Sequence, residues 1–422
     1  MPEQYLSRRA VVTGLGAVTP IGNDHPTFWR NLVAGVSGGG PITSFDAAGF
    51  EVRIAAEVKG FDPTIAMDRK MARRMSRFIH FAMAAGKEAV AHAGLDFSDW
   101  SPERRDRVAV IVNTGGGGVE QITIGTQVLG SKGPNSVSPF AFPALSASMA
   151  ACQLSMEYGL TGPVITQSAA CATSVICFLD ALRLIQRGEV DVVLAGGTEA
   201  PLLPIGFAAL GNMGALSKRN DEPAKASRPF DRKRDGFLYG EGGGVVVVES
   251  AKHALERGAH IQAEVLGASL TADAFHISAP EPTGRGQRLA MTKAMQDAGV
   301  APDEVDYIAA HGTSTPLNDV TETRAIKAAF GEHARKVSIS GPKSMVGHMI
   351  GGAGVVGAMA AIGAIREGFV PPTINLEEPD LPECDLDYTP LVARERRVET
   401  ATINGFGFGG QNAVAVFRRF EE

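Results

Sequence analysis

Apolar residues in this chain fall into two patterns, short runs rich in valine and isoleucine and longer stretches with helical spacing, which alternate along its length. The runs at Ala10–Val18 (AVVTGLGAV), from Val108 (VAVIV), from Asp191 (DVVLAG) and ending at Ser250 (GGVVVVES) predict strands, with helical spacing between them over Phe78–Ala93 and Cys171–Arg187. The second half repeats the organisation: IQAEVLGASL, VDYIAAHGTS and ATINGFGFGGQNAVAVF predict strands ending in glycine-rich or polar turns, with a helix over Gly286–Ala298. This alternation predicts an α/β fold. Two similar halves, residues 1–250 and 251–422, are expected to bury their sheets against shared central helices, although no exact repeat relates them in sequence. The uncharged stretch Met349–Ile365 is shorter than the roughly 20 residues of a membrane span and rich in Gly and Ala, so it predicts a buried core helix.

Composition narrows the class. Of 422 residues, 44% are hydrophobic and 20% charged, enough apolar material for buried layers. Fifty glycines predict tight functional turns. A net charge of −6 argues against general nucleic-acid binding, which needs a surplus of Lys and Arg. The four cysteines form no CxxC pair and the opening MPEQYLSRR carries no apolar leader, which predicts a reduced, cytoplasmic protein with no membrane association. Against this acidic balance, residues 66–77 (MDRKMARRMSRF) concentrate Arg69, Lys70, Arg73, Arg74 and Arg77, a run that reads on its own as a solvated helix face.

The sharpest local chemistry is TQSAACATSVICFLDALRLIQRG, where Cys171 stands among small residues at the start of a helix closed by Gly188. A thiolate there is stabilised by the helix N-terminus, while the plainer alternative is a buried structural cysteine. Cys177, deeper in the helix, reads as core. His311 in AAHGTSTPLND lies at a predicted strand end and His348 in GPKSMVGHMIGGAG at a turn into the apolar helix, both beside glycines. Lys343 sits in an otherwise nearly uncharged segment and calls for an anionic partner, for which Glu322 is the candidate. NGFGFGGQN, residues 404–412, exposes backbone amides that suit an oxyanion hole. Neither GLG at Gly14 nor GGGG at Gly115 completes a dinucleotide fingerprint.

Taken in order, Cys171 in AACATS, His311 in HGTSTPLND, Lys343 and His348 in KSMVGH, and Phe408 in GFGFGG resemble the β-ketoacyl-acyl carrier protein synthase II family. The resemblance runs from RRAVVTGLGAVTPIGN to the closing loop and includes ALSKRNDEPAKASRPFDRKRDGFLYGEGGG from Ala215. It implies the five-layered αβαβα thiolase fold, a dimer, and decarboxylative condensation of an enzyme-bound acyl chain with malonyl-acyl carrier protein in fatty acid elongation. Cys171 is then the nucleophile, its amide and that of Phe408 form the oxyanion hole, and His311 and His348 bond the malonyl thioester oxygen. Lys343 pairs with Glu322 to set the electrostatics. Thr313 and Thr315 hold the pantetheine arm, Phe408 gates the two half-reactions, and Gly116 and Phe406 border the substrate. The basic run becomes, through Arg69, Lys70, Arg73 and Arg74, a docking patch for an acidic carrier protein. No metal or organic cofactor is implied.

Several positions depart from that family's pattern: Gly116 stands where a bulky aliphatic residue helps bound the acyl pocket, Pro342 replaces a Thr, and Gly405 and Gln411 alter the closing loop. A wider or differently gated pocket follows. The alternative is a ketosynthase of a type II polyketide system, paired with a chain-length-factor partner rather than with itself. A non-catalytic partner subunit of the same fold lacks the cysteine, and a degradative thiolase needs a second cysteine in the closing loop, which here carries Phe406 and Phe408.

Overall fold

Runs such as Val108–Asn113 and Gly242–Ser250 are buried along their whole length, which explains why they read as continuous apolar stretches rather than as alternation. In the computed structural model, which describes residues 6–421, they belong to a ten-stranded mixed sheet. In chain order its strands are β1 (Ala10–Val18), β2 (Val108–Asn113), β3 (Val164–Ile165), β4 (Val192–Glu199), β5 (Gly242–Ser250), β6 (Ala263–Ala272), β7 (Tyr307–Ala309), β8 (Ser338–Ser340), β9 (Thr400–Gly407) and β10 (Gln411–Arg418). Across the sheet they run β8-β7-β9-β10-β6-β1-β5-β4-β2-β3.

The two halves of this order follow one scheme. β1 pairs antiparallel with β5, β5 antiparallel with β4, β4 parallel with β2, and β2 parallel with β3. β6, β10, β9, β7 and β8 repeat that sequence of pairings step for step. The half-sheets join where Ala10–Val12 of β1 pair with Ala263–Val265 of β6.

The helices named here are α1 (Arg77–His92), α2 (Met149–Tyr158), α3 (Thr173–Gln186), α4 (Arg285–Ala298), α5 (Pro316–Phe330) and α6 (Ala353–Glu367). α1 and α2 cover the outer face of the first half-sheet, and α4 and α5 that of the second. Between the half-sheets, α3 and α6 touch strands of both, giving the expected five layers of helix, half-sheet, helix, half-sheet and helix. Val175, Phe178 and Leu182 of α3 join Val355, Met359 and Ile362 of α6 in one buried cluster. The segment Ile350–Glu367 is apolar and long enough to cross a membrane, and its place in this middle layer, largely buried, accounts for that composition. Two expected strands differ in form. VDYIAAHGTS contributes only Tyr307–Ala309, because the polar residues after it turn into the site, and the last apolar run folds as β9 and β10 around a turn at Phe408–Gly410.

Candidate functional site

The repeated scheme places two strand-to-helix turns side by side. β3 leads through a 3-10 turn, Ala170–Ala172, into α3, and β8 leads through Lys343–Val346 and Ile350–Gly352 into α6. Cys171 lies on the first turn, Lys343 and His348 on the second, His311 just beyond β7, and Phe406 and Phe408 at the end of β9. All four ionisable side chains are buried: Cys171 is 5% exposed, His311 2%, His348 2% and Lys343 6%. Ala170 has φ 47°, left-handed backbone that turns the chain sharply just before the cysteine.

His348 Nε2 is 3.0 Å from Cys171 Sγ, and the Ile350 amide donates to His348 Nδ1 at 3.2 Å. That second bond makes Nδ1 an acceptor, so Nε2 carries the proton and points it at the sulfur. The amides of Phe408 and of Cys171 itself also face the sulfur. Lys343 Nζ donates to the His311 carbonyl at 2.6 Å and lies 3.4 Å from His311 Nδ1. The imidazoles of His311 and His348 stand edge to face, 5.5 Å apart, with Phe406 beside the first and Phe237 beside the second.

Burial pushes the Cys171 thiol up to about 11, while the Lys343 charge and the two amides pull it back. The helix start alone therefore does not give a thiolate at neutral pH: in this fully desolvated setting burial outweighs the helix terminus, and the resting group is a thiol. Burial, reinforced by Lys343, holds both histidines well below the ordinary imidazole range, so both are neutral. Lys343 itself is lowered to about 8 by burial, against the opposing pull of Glu322.

The expected direct pair of Lys343 and Glu322 is not formed among the described residues. Glu322, on α5, instead accepts from the amides of His311 at 2.7 Å and Gly312 at 2.8 Å and from Asn404 Nδ2 at 3.0 Å. Lys343 reaches the opposite side of the same histidine backbone, so lysine and carboxyl grip His311 between them. Burial raises the Glu322 carboxyl and these donors lower it. A second buried carboxyl, Glu199, clamps the loop after β2 in the same way, taking the amides of Gly115 and Gly116, the Thr114 hydroxyl and, from the second turn, the amide of Gly351. Sequence reading passed over Glu199, whose one signal was an acid closing an otherwise uncharged strand.

Two cavities meet at this cluster. One, about 310 Å³, is lined by Cys171, His311, His348, Thr313, Thr315, Phe406 and Phe408. Within it the Thr313 and Thr315 hydroxyls lie 2.8 Å apart. The other, about 490 Å³, starts at Ala170 and is lined by Gly116, Glu199, Tyr239 and Gln411. Ile350 lines both and has φ 45°, a strained setting for a β-branched residue. The ligand atoms of Cys171, His311 and His348 lie within 4.8 Å of one another, a spacing that would suit a metal, but the Lys343 ammonium beside them opposes a cation.

The basic run is not one helix face. Arg69, Lys70 and Arg73 are exposed on or beside a short helix, Arg69–Ala72, capped by Asp68. The Arg74 guanidinium lies over the Phe140 ring at 4.2 Å, and Arg77, at the start of α1, is paired with Glu241 at 2.7 Å.

Comparison with known proteins agrees with this geometry. Residues 7–254 match the family "Beta-ketoacyl synthase, N-terminal domain" and residues 262–377 match "Beta-ketoacyl synthase, C-terminal domain". The chain is 47% identical to a 3-oxoacyl-[acyl-carrier-protein] synthase 2 of Synechocystis sp. over 98% of its own length and 99% of the relative's. Among solved structures it is similar to the ishigamide ketosynthase/chain length factor, with a TM-score of 0.91 and 36% identity over 98% of this chain and all of that one. It is also similar to a type II PKS acyl-carrier protein in complex with its ketosynthase bound to the hexaketide, with a TM-score of 0.88 and 33% identity, covering 98% and 100%. The half-sheet scheme and layers are those of the thiolase-like ketosynthases, and the chain belongs to the beta-ketoacyl synthase family.

Proposed function

We propose that this protein is a β-ketoacyl-acyl carrier protein synthase that elongates fatty acyl chains. The observation that carries the reading is the convergence, at one buried cysteine, of two backbone amides and a proton-bearing His348 Nε2, with a second neutral histidine alongside. Cys171 Sγ attacks the acyl thioester carbonyl, and the amides of Cys171 and Phe408 hold the oxyanion. The carrier leaves as its thiol, taking in net the proton that Cys171 gives up. Malonyl-carrier protein then enters past Thr313 and Thr315. As the bond to its carboxylate breaks and carbon dioxide leaves, the electron pair moves toward the thioester oxygen, where His311 and His348 donate N–H groups to the forming enolate. The enolate carbon attacks the Cys171 thioester, the new carbon–carbon bond forms as the carbon–sulfur bond to Cys171 breaks, and the thiolate so released takes a proton from solvent. Glu322 and Lys343 position His311, and Phe406 and Phe408 border and gate the cavity. Among the described residues neither histidine ring bonds an orienting carboxylate, which separates this arrangement from that of a cysteine hydrolase.

The acyl carrier protein is the proposed partner, with Arg69, Lys70, Arg73 and Arg74 as its docking patch; the relative solved with an acyl-carrier protein supports this. Dimerisation, with itself or with a chain-length-factor-like subunit, is proposed through the edge strand β3, whose Val164 is exposed. Residues 1–250 and 251–422 are proposed as the two thiolase-like halves, and the cytoplasm as the location, in keeping with four free cysteines. A second reading, as the ketosynthase of a type II polyketide system, is favoured by Gly116, where any side chain would add bulk against Val119 and Glu199 at the cavity wall.

The test is intact-protein mass spectrometry after incubation with acyl-carrier proteins of different chain length and unsaturation, with Cys171→Ala alongside. Saturated adducts on the native protein and none on the variant are expected; full condensation by the variant would overturn the assignment.

A further inference from the structure

The cavity of about 310 Å³ at Cys171 has a reacting end made of donors: His348 Nε2 and the amides of Cys171 and Phe408 all face the sulfur. Along its side wall most polar groups are engaged with one another. Thr313 and Thr315 share a hydrogen bond at 2.8 Å, Asn318 Nδ2 donates to Asp319 at 3.1 Å, and Asp273 accepts from Asn412 Nδ2 at 2.7 Å and from the Glu281 amide at 3.1 Å. Gln287, in the first turn of α4, is the exception. It lines the same cavity and is 1% exposed, and its Oε1 has no hydrogen-bond partner among the described residues.

The turn that carries it is fixed. The Gly286 carbonyl accepts from the Thr271 hydroxyl at 2.9 Å, and a Cβ at Gly286 would fall 2.1 Å from Asp273 Oδ1 and 2.7 Å from Asn412 Nδ2, so α4 starts in direct contact with that pair. A buried amide oxygen left unpaired is costly, and a ligand that satisfies it must bring an N–H or O–H. The malonyl thioester brings neither, because its ionised carboxylate and its thioester oxygen are acceptors, matched to the donors at the reacting end. A saturated acyl thioester brings neither. The carrier's pantetheine arm does, in the amide N–H nearest its sulfur, and the arm occupies this cavity whenever its thioester reaches Cys171.

We infer that Gln287 is a binding residue for the arm, its Oε1 accepting that amide N–H. The inference deepens the reading above and rests on it, since it takes the cavity as the path of a carrier-bound thioester. Thr313 and Thr315 stand on the loop after β7 and Gln287 on α4, so the arm is held from two elements of the fold. Because the same arm enters twice, once with the acyl chain and once with the malonyl unit, both half-reactions depend on Gln287.

The experiment compares thioesters of N-acetylcysteamine, which keep this amide, with thioesters of 2-mercaptoethyl acetate, in which an ester oxygen replaces the N–H. Hexanoyl donors report Cys171 acylation by intact mass, and malonyl donors report decarboxylation by release of carbon dioxide. Wild type is expected to favour the amide about 10-fold in kcat/KM in both half-reactions, the size of one neutral hydrogen bond. In Gln287→Met, which keeps the length of the side chain without its amide, the preference is expected to vanish at a thermal midpoint close to that of wild type, and Gln287→Leu serves as a second apolar variant. No preference in wild type overturns the inference before any variant is made. A preference that both variants retain, or one confined to the malonyl donors, overturns it as well. Absence of acylation of the wild type by any thioester, carrier-bound ones included, overturns the condensing-enzyme reading and this one with it.

Discussion

Lys343 shows how one buried charge governs its neighbours. Burial keeps both imidazoles neutral and the ammonium adds to that effect and pulls the cysteine down, yet the same burial brings the lysine's own proton loss down to about pH 8. Malonyl decarboxylation is therefore expected to decline through pH 8, as the proton that fixes His311 Nδ1 as an acceptor is lost. Lys343→Arg, whose guanidinium stays charged, should run about 10-fold slower from misplacement but without that alkaline limb; a pH–rate profile of both proteins decides, and a limb retained at pH 8 in the variant would assign it to another group. For stability the direction is fixed by the folded proton being lost before the unfolded one. Between about pH 8 and the ordinary lysine value the unfolded chain binds more protons, so this residue's contribution rises with pH there.

At the level of elements, β1 and α1 are packed backbone against backbone. Cβ atoms at Gly14 and Gly16 would collide with the α1 carbonyls of Ala89 and Ala85, so β1 can lie flat under the helix only with glycine at both places. Gly16→Val should cost about 3 kcal/mol, read as a lower urea midpoint at unchanged slope. The valine runs of β1, β2, β4 and β5 and the periodicity of α1, α3 and α4 were legible because their burial follows from apolar pattern alone. α5 was not, because its buried face carries Asn318, Asp319, Thr321, Glu322 and Thr323, polar residues turned inward to hold the site. β3 and β8, of two and three residues, are too short to show a period. The cysteine and histidines could be read from their glycine-rich settings and their order. Glu199 and Gln287 could not, since what distinguishes them is who stands next to them in the folded protein. The Lys343–Glu322 pairing is electrostatic rather than a direct contact for the same reason: the two opposite charges act on each other across a histidine backbone that folding put between them.

Across the whole molecule, a chain of net charge −6 leaves Arg69, Lys70 and Arg73 exposed together. Lys70→Glu combined with Arg73→Glu should raise KM for carrier-bound substrate about 10-fold at low salt and leave KM for a small thioester unaltered, with the difference shrinking as salt is added. An unchanged KM for the carrier-bound substrate would return these residues to ordinary solvated charge. The twofold scheme of the sheet carries a different consequence. β2 and β7 are counterpart strands, and each is followed by a loop whose two amides are gripped by a buried carboxyl, Glu199 for Gly115 and Gly116 and Glu322 for His311 and Gly312. In one copy the loop carries the His311 imidazole to the cavity that holds Cys171, and in the other it carries Gly116 to the wall of the second cavity. On the proposed function, reactivity and appetite are lodged in separate copies of a single motif, so a side chain placed at Gly116 is expected to alter which acyl chains are accepted while leaving the His311 loop undisturbed.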